Sequence, residues 1–328
     1  MVQKKHSRYR CFDRRQLRLQ SLNCRHHDLR IDSILSLKPV DNIENGLLKT
    51  AESVVRARNN KSAVVFMLGA HVLRDGVQEY LIDLMKRGFI SCVALNGAGV
   101  IHDFEFSLIG ATTESVARYI ETGEFGLWEE TGKINDLIFD GAENGQGLGE
   151  VVGQYIEEKR LPFKDSSILA AGWRFGVPIT VHVGIGYDII HQHPNCDGAA
   201  LGNVSYTDFL IFTKVLERIN RGVVANFGSA VMGPEVFLKG LSMVRNVSVN
   251  AGKEVGGFTS LVCDLKSLPS NYQQEAKKSN PYYYFRPWKT MLVRTLADGG
   301  GSYYIQGRHR ETIPALWTAI DRIDKGIV

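Results

Sequence analysis

The side chains best suited to acid–base chemistry follow two glycine turns. His102, Asp103 and Glu105 come directly after the turn Asn-Gly-Ala-Gly at 96–99, and Asp188 ends the run Gly-Ile-Gly-Tyr-Asp. An imidazole at such a turn can carry protons near neutral pH. A carboxylate at the position of Asp188 can bind ribose hydroxyls or pair with a cationic substrate. The alternatives are structural, since acidic residues also cap helices and favour their first turns.

A second reactive group lies in the aromatic run Tyr-Tyr-Tyr-Phe-Arg-Pro-Trp-Lys at 282–289. Aromatic faces attract cations, so this run could form a wall around a cationic or planar ligand. A lysine desolvated among them, here Lys289 beside Trp288, would have a lowered pKa and could form an imine. The alternative is an aromatic interface that leaves Lys289 in solvent.

A third group has the chemistry of zinc ligands and consists of His191, His193 and Cys196. The segment follows the strand–glycine–Asp188 pattern directly, and no second ligand pair of standard spacing occurs in the sequence. We therefore expect no bound metal and place the segment at the rim of a ligand pocket, with His193 facing the substrate. A metal-dependent hydrolase that uses the three side chains is the alternative.

Five apolar runs must position these groups. They span 62–68, 89–93, 177–183, 223–227 and 258–265, and such runs are typical of strands buried on both faces of a parallel sheet. Amphipathic helical spacing separates them. This alternation predicts an α/β fold with a doubly wound, mostly parallel, Rossmann-like sheet and ligands at the carboxyl ends of its strands. We also expect strands over 290–296 and 302–307, and a closing helix over 312–324.

Four of the runs end in small or glycine-rich turns: LGAH, LNGAG, VGIGYD and NFGSA. Glycine lets a ligand approach the backbone, and free N–H groups at a helix start attract phosphate. The turns therefore predict nucleotide binding. Neither Gly-x-Gly stretch completes the fingerprint GxGxxG, because His102 and Ile189 occupy the third glycine position. An ordinary dehydrogenase is therefore not expected.

Composition adds a basic segment to an otherwise ordinary globular chain. The net charge is +4 over 328 residues, and nine Lys or Arg side chains lie within the first 30 residues against two acidic ones. We expect residues 1–40 to form a basic arm with little core, and 41–328 to form a single nucleotide-binding domain. The arm could touch nucleic acid or acidic protein. A solvated tail that folds over a neighbouring subunit is the favoured interpretation, so nucleic acid is not an expected partner.

The expected compartment follows from two further observations. No apolar run reaches the ~18–20 residues that a membrane span needs. The five cysteines contain no Cys-x-x-Cys pair, and Cys92 and Cys263 lie inside apolar strands. We expect a cytoplasmic protein without disulfides or membrane contact.

Taken together, the motifs resemble those of the deoxyhypusine synthase superfamily, over roughly residues 60–320 and in motif order more than in identity. The family's first strand ends in a Ser-Ser-Gly-leucine-arginine-type turn, which Gly69–Arg74 resembles, and its Thr-Thr-Ala-Gly-Gly turn resembles Asn96–Gly99. Its Leu-Thr-Asp-Gly segment is similar to Gly186-Tyr-Asp188, and its triple-glycine turn to Phe227-Gly-Ser229. Its catalytic Trp-Gly-Lys segment is similar to Trp288-Lys289, one residue shorter.

The resemblance implies a parallel-sheet NAD-binding fold, a homotetramer with NAD near subunit interfaces, and chemistry on polyamines. Hydride passes to NAD, and a lysine captures the resulting imine. Carried over to this chain, the catalytic lysine is Lys289, and His102, from its place after the glycine turn, is the expected proton carrier. Substrate-binding residues are Asp103, Glu105, His193, Glu235 and Trp288. The residues expected to hold NAD are Gly69, His71, Asn96, Gly97, Ala98, Gly99, Asp188, Gly228 and Ser229.

Three departures from the family pattern fall where the substrate amine is handled. The Lys-His-His that follows the family's glycine turn is absent, an acidic pair is replaced by Ile101-His102, and the acidic segment before the lysine is replaced by Tyr-Tyr-Tyr-Phe-Arg-Pro. We therefore predict an NAD-dependent enzyme that acts on a different amine, of polyamine or amino-acid type. A non-catalytic nucleotide-binding regulator that uses its basic arm is a further alternative.

Overall fold

The computed structural model of the chain describes residues 7–297 and 299–327. Residues 1–6, with Lys4 and Lys5 of the predicted basic arm, lie outside the described residues. The strands are β1 (Leu29–Arg30), β2 (Val64–Leu68), β3 (Cys92–Asn96), β4 (Ala111–Thr112), β5 (Ile179–His182), β6 (Val223–Phe227), β7 (Thr259–Asp264) and β8 (Ser302–Gln306). Strands β1 and β4 form a small antiparallel pair, and the other six form one sheet.

The main sheet has the order β5-β3-β2-β6-β7-β8, and every neighbouring pair is parallel. From β2 the chain first builds outward through β3 and β5, then returns to the other side of β2 and builds outward through β6, β7 and β8. The predicted doubly wound α/β sheet is therefore confirmed. Its winding direction reverses between β2 and β6, where such sheets bind ligands.

The connections between strands are helical. The helices are α1 (Asn45–Asn59), α2 (Ala70–Arg74), α3 (Gln78–Lys86), α4 (Gly97–Ile109), α5 (Val116–Thr122), α6 (Lys133–Asn144), α7 (Leu148–Glu158), α8 (Ile168–Phe175), α9 (Gly198–Leu216), α10 (Met232–Asn250) and α11 (His309–Asp324). None of the helices within residues 7–297 and 299–327 is long and apolar enough to cross a membrane.

Hydrophobic side chains cover both faces of the sheet. Along β2, Val64, Phe66 and Leu68 pack into one core cluster with α1, α3 and α11, while Val65 and Met67 pack into a second cluster with α10. This alternation follows from the two-residue period of a strand. Because both faces are buried, every residue of β2 had to be apolar, which is what made the strand visible in the sequence.

The expected strand over 290–296 is wrong. The chain forms a π-helix over Pro287–Val293 and a 3₁₀ turn over Arg294–Leu296. Trp288, Met291 and Leu292 are spaced by three and four residues and bury one helical face in the second core cluster. The expected strand over 302–307 does form, as β8.

The first part of the chain packs more tightly than an arm with little core. Leu22 is buried with Tyr119 and Trp128 in a small separate cluster, and Arg25 is 4% exposed. The expectation of little core is therefore wrong for the segment around these two residues. The sequence could not show it, because the partners of Arg25 lie about 80 residues further along the chain. The division of the chain at residue 40 stays a prediction.

Candidate functional site

A cavity of about 610 Å³ opens at the carboxyl ends of β2, β3, β5 and β6. Eight of the nine residues predicted to hold the cofactor line it: Gly69, His71, Asn96, Gly97, Ala98, Asp188, Gly228 and Ser229. The ninth, Gly99, lies within α4 and donates its N–H to Asn96 Oδ1 at 3.0 Å. The glycine turns thus meet at one rim of the sheet. We call this space the main cavity.

The floor of the main cavity is bare backbone at the point where the sheet reverses direction. A Cβ atom added to Gly69 would lie 2.6 Å from the carbonyl oxygen of Gly228. Gly228 itself has φ +66°, a conformation that side-chain-bearing residues rarely adopt. Glycine is therefore required at both positions, because the carbonyl group of Gly228 lies against Gly69 and the ring of His309 lies against Gly228. Both residues line the cavity with backbone alone.

One side of the main cavity presents three backbone donors at the start of α10. Ser229 holds the loop, since its N–H donates to Asn226 Oδ1 at 3.1 Å and its Oγ accepts from the N–H of Gly233 at 2.8 Å. For the N–H groups of Ala230, Val231 and Met232 we find no hydrogen-bond partner within residues 7–297 and 299–327. Unpaired amides at the start of a long helix form an anion site.

The start of α4 is arranged differently from the sequence-based expectation. Of its first amides, that of Gly99 is paired with Asn96, and that of Ala98 donates to the carboxyl group of Asp188. A Cβ atom added to Gly97 would overlap the same carboxyl group. The Asn-Gly-Ala-Gly turn therefore receives a carboxylate of the chain itself, and an incoming phosphate would find two of these donors occupied.

A second cavity, of about 220 Å³, adjoins the main cavity and shares Ala98, Tyr187 and Asp188 with it. We call it the side cavity. Its charged and imidazole side chains come from the first part of the chain, α2, α4 and the segment between β4 and α5: Arg25, Arg74, His102, Glu105 and Glu114. Asp188 therefore lies where the two spaces meet. Tyr187, beside it, is 88% exposed and overhangs both.

Glu105, predicted to bind substrate, is instead fully engaged within the protein. Arg25 donates to its two oxygens at 2.9 and 2.6 Å, and the hydroxyls of Thr112 and Thr131 donate at 2.6 and 2.7 Å. Burial alone would raise the pKa of Glu105, but the ion pair and these hydrogen bonds bring it below its ordinary value. Glu105 is therefore an anion whose lone pairs are taken, and it holds Arg25 in the cavity wall.

Arg25 and Glu114 are site residues that the sequence analysis missed. Arg25 Nε donates to His27 Nδ1 at 3.1 Å, so each nitrogen of the Arg25 guanidinium group has a hydrogen-bond partner. Glu114 lies 4.0 Å from Arg25 and accepts from Trp128 Nε1 at 2.9 Å, and burial raises its pKa. No spacing pattern links Arg25 to these partners, so only the fold reveals the cluster.

The tautomer of His102 follows from its neighbours. Thr112 has one hydroxyl proton and donates it to Glu105. The Thr112 oxygen, 2.9 Å from His102 Nδ1, must therefore accept a hydrogen bond from the ring. Nδ1 therefore carries the proton. Burial lowers the pKa of His102 to about 4, which keeps the ring neutral at pH 7. Its Nε2 lone pair is left to accept a hydrogen bond from a ligand in the side cavity.

Asp188 is a stronger base than His102. Burial raises the pKa of its carboxyl group to about 6, although the hydrogen bond from the N–H of Ala98 acts in the opposite direction. A group with a pKa near 6 is ionised at neutral pH yet can take a proton at modest cost. The junction of the two cavities therefore carries an anionic proton acceptor.

Three predicted substrate-binding residues lie away from both cavities. Asp103 is buried and caps α8, accepting from the Ser167 hydroxyl and from the N–H groups of Ile168 at 2.9 Å and Leu169 at 3.2 Å. His193 is fully buried, with Nε2 2.7 Å from the carbonyl oxygen of Gly126. Glu235 pairs with Lys239 and with Arg286. The sequence showed their proximity to glycine turns but not the direction of their side chains.

Trp288 and Lys289 also lie outside the cavities. Trp288 is buried in the second core cluster and donates Nε1 to the carbonyl oxygen of Tyr272 at 2.7 Å. Lys289 Nζ lies 3.4 Å from the centre of the Tyr283 ring and 3.9 Å from Glu275. The aromatic surroundings expected for Lys289 are present, but the lysine lines neither the main nor the side cavity.

His182 is a cavity residue that the sequence analysis did not single out. It ends β5, lines the main cavity and stands edge-on to Phe212. Burial lowers its pKa to about 4, so the ring is neutral. Its position next to the end of the apolar run 177–183 was the available signal.

The metal alternative gains nothing from the geometry. His191 Nδ1 accepts from two backbone N–H groups, His193 bonds to Gly126, and the thiol of Cys196 is buried. Within residues 7–297 and 299–327, no group of three or more His, Cys, Asp or Glu side chains is arranged to hold a metal ion.

Comparison with known proteins gives a fold likeness at low sequence identity. No protein-family model and no curated protein matches the sequence. Among solved structures, unliganded AgrE is similar with a TM-score of 0.52 at 13% identity, over 84% of this chain. A putative LOR/SDH protein from Methanococcus maripaludis is similar with a TM-score of 0.50 at 12% identity, over 88% of this chain and 72% of that one. A putative deoxyhypusine synthase from Entamoeba histolytica reaches a TM-score of 0.45 at 8% identity, over 85% and 87% of the two chains.

The likeness concerns the fold and part of a larger protein. The chain spans about a third of the length of AgrE, since it covers 32% of the unliganded structure. The expected doubly wound sheet of Rossmann type agrees with the likeness to unliganded AgrE and to the LOR/SDH protein. At such identities the likeness shows the fold alone.

Proposed function

We propose that this protein is an NAD-dependent enzyme that oxidises an amine, of polyamine or amino-acid type, by hydride transfer and imine chemistry. One observation carries the proposal: the main cavity at the reversal point of the sheet meets the side cavity at a single carboxylate, Asp188. A dinucleotide in the first and an amine in the second would meet at that carboxylate. The proposed enzyme is distinct from deoxyhypusine synthase, because Lys289 lies outside both cavities.

The residues of the main cavity fit NAD in three respects. Its volume of about 610 Å³ lies within the ~300–1,000 Å³ typical of ligand sites. Gly69 and Gly228 line the cavity with backbone alone, and the amides of Ala230, Val231 and Met232 would hold the pyrophosphate at the start of α10. His182 and Tyr187 offer planar surfaces for the rings.

The chemistry in the side cavity would begin with a proton. The ammonium group of the substrate loses an N–H proton to the carboxylate of Asp188, where an O–H bond forms, and the nitrogen keeps the lone pair. NAD, when bound, supplies the acceptor for a hydride from the carbon that bears this nitrogen. His102 Nε2 accepts a second hydrogen bond from the amine, and Arg74 faces any anionic group of the substrate.

Water, rather than Lys289, would add to the imine carbon, because the lysine is held under Tyr283. A C–O bond forms, the C–N bond breaks, and the nitrogen leaves as ammonia or an amine. The homotetramer and the cytoplasmic location implied earlier stay predictions. Light scattering of the purified protein tests the first of these.

The cofactor proposal is tested by placing a negative charge in the amide cradle. Val231 is 65% exposed and lines the main cavity, so Val231→Glu should leave the fold intact and repel a pyrophosphate. A unit charge a few ångströms away in a partly solvated site costs about 1–2 kcal/mol, which corresponds to roughly a five- to thirty-fold rise in Kd. Isothermal titration calorimetry with NAD measures it.

Val247→Glu is the matched control, since Val247 is 69% exposed on the same helix α10 but lies near its other end. Its Kd should equal that of the wild type. Absence of NAD binding by the wild-type protein, or equal losses in the two variants, would rule out the cofactor site proposed here.

A further inference from the structure

His191 has an unusual position within the loop that carries Asp188. Its Nδ1 accepts from the N–H groups of Gly186 and Asp188, both at 3.1 Å. An imidazole nitrogen that accepts has no proton, so the neutral ring must carry its proton on Nε2. The side chain is 5% exposed, and burial lowers its pKa, which favours the neutral form.

The Nε2–H of His191 is a buried donor without a partner among residues 7–297 and 299–327. Nε2 makes no hydrogen bond to the described residues, and it lies 3.8 Å from Asp188 Oδ2. A buried donor left unpaired is costly, and in native proteins it often marks a functional site. A movement of about 1 Å would bring the pair to the ~2.7–2.9 Å of a charge-assisted hydrogen bond.

We infer that His191 is a positioning residue that holds Asp188 in its anionic form by donating Nε2–H to Oδ2 when ligands exclude water from the junction of the cavities. The inference rests on the proposed function and deepens it. The ring cannot relay protons onward, because the two amides occupy Nδ1. Its contribution is therefore to supply one fixed hydrogen-bond donor to Asp188 in place of the solvent that the ligands exclude.

The other groups facing Asp188 leave this task to His191. Across the side cavity, Arg25 is neutralised by Glu105, and His102 points its proton at Thr112. Glu114, with its raised pKa, adds no positive charge, and Arg74 is bonded to His71 at 3.3 Å.

Across the main cavity, His182 is neutral and bonded to Thr180 at 3.1 Å. The backbone N–H groups of Ala98 and His191 are the donors that Asp188 already uses.

Two substitutions distinguish hydrogen-bond donation to Asp188 from support of the two loop amides by Nδ1. In His191→Asn the side-chain oxygen can occupy the position of Nδ1 and accept the two amides, but no donor reaches Asp188. In His191→Gln the side-chain N–H can occupy the position of Nε2, but the amides lose their acceptor. The measurement is the titration of the Asp188 carboxyl by ¹³C NMR in cofactor-free protein, with and without n-propylamine hydrochloride, and Asp188→Asn assigns the signal.

We expect the wild-type carboxyl to titrate near pH 6 without amine. With amine present, His191→Asn should titrate higher than the wild type by about half a pH unit or more, and His191→Gln should match the wild type. If His191→Asn matches the wild type and His191→Gln does not, the ring only supports the loop and the inference is overturned.

A measurement on the wild-type protein covers the case of variants that fold poorly. Imidazole ¹⁵N shifts between pH 5 and 8 should show His191 protonated on Nε2 and not on Nδ1, and the opposite tautomer would overturn the inference. Because neither experiment contains NAD, a negative result here is distinct from failure of the cofactor proposal, which the Val231→Glu calorimetry addresses.

Discussion

Replacing Asp188 by Asn should make the protein more stable at neutral pH. The carboxyl group is desolvated in the folded protein, and its side chain is 8% exposed. Burial raises its pKa from 3.8 to about 6. A raised carboxyl pKa means that the folded state binds more protons than the unfolded state between these two values. The free energy of unfolding therefore falls as pH rises from about 4 to 6, and the loss is complete above pH 6.

The magnitude follows from the same two pKa values. The two pKa values differ by about 2, which lowers the free energy of unfolding by about 3 kcal/mol at pH 7.5 and by nearly nothing at pH 4. The substituted asparagine would keep an oxygen that can accept from the N–H groups of Ala98 and His191, so the comparison isolates the ionisation of the carboxyl group. Such a gain is expected at a functional site, where a carboxylate is retained for its chemistry at the expense of stability.

Urea unfolding of both proteins at pH 4.5, 6 and 7.5, followed by circular dichroism, measures the difference. The control is Asp41→Asn, since the Asp41 side chain is fully exposed, and it should change stability by less than about 0.5 kcal/mol at each pH. A gain that does not grow with pH, or a loss of stability at pH 7.5, would refute the idea that the Asp188 carboxylate is held ionised against its desolvation.

Three further predictions concern residues that the fold reassigns. Arg25→Met leaves Glu105 buried without its ion partner and should cost about 3–5 kcal/mol in urea unfolding, and a second change, Glu105→Gln, should recover part of it. Asp103→Ala removes the cap of α8 and should cost about 1–3 kcal/mol while the Kd for NAD stays constant in calorimetry. Lys289→Ala should also leave the Kd for NAD unchanged, and a tenfold rise would place the lysine back in the site.

The parts of the molecule that could be predicted from the sequence are those in which one local pattern has one structural meaning. Strands β2, β3, β5, β6 and β7 are buried on both faces, so each is a short apolar run. The turn that follows four of them had to be small because backbone approaches backbone there, as at Gly69 and Gly228. These two facts were enough to place the main cavity.

The parts that could not be predicted depend on side-chain direction and on distant partners. Asp103 and Glu105 are two residues apart on α4, yet Asp103 caps α8 and Glu105 pairs with Arg25 in the wall of the side cavity. Helical geometry sends them to different faces, but the sequence does not say which face meets the cavity. The π-helix at Pro287–Val293 was missed for a related reason, since a run of seven mostly apolar residues is compatible with either a strand or a buried helix.

The amide at the end of β3 bears on cofactor selection. Dinucleotide-binding sheets usually carry an acidic residue near this point, which binds the 2′-hydroxyl of the adenosine ribose and repels a 2′-phosphate. Here the strand ends in Asn96, whose side-chain oxygen is committed to the N–H of Gly99. A phosphorylated ribose at this turn would instead meet the carboxylate of Asp188, which lies against Gly97, so by this criterion the chain would favour NAD over NADP.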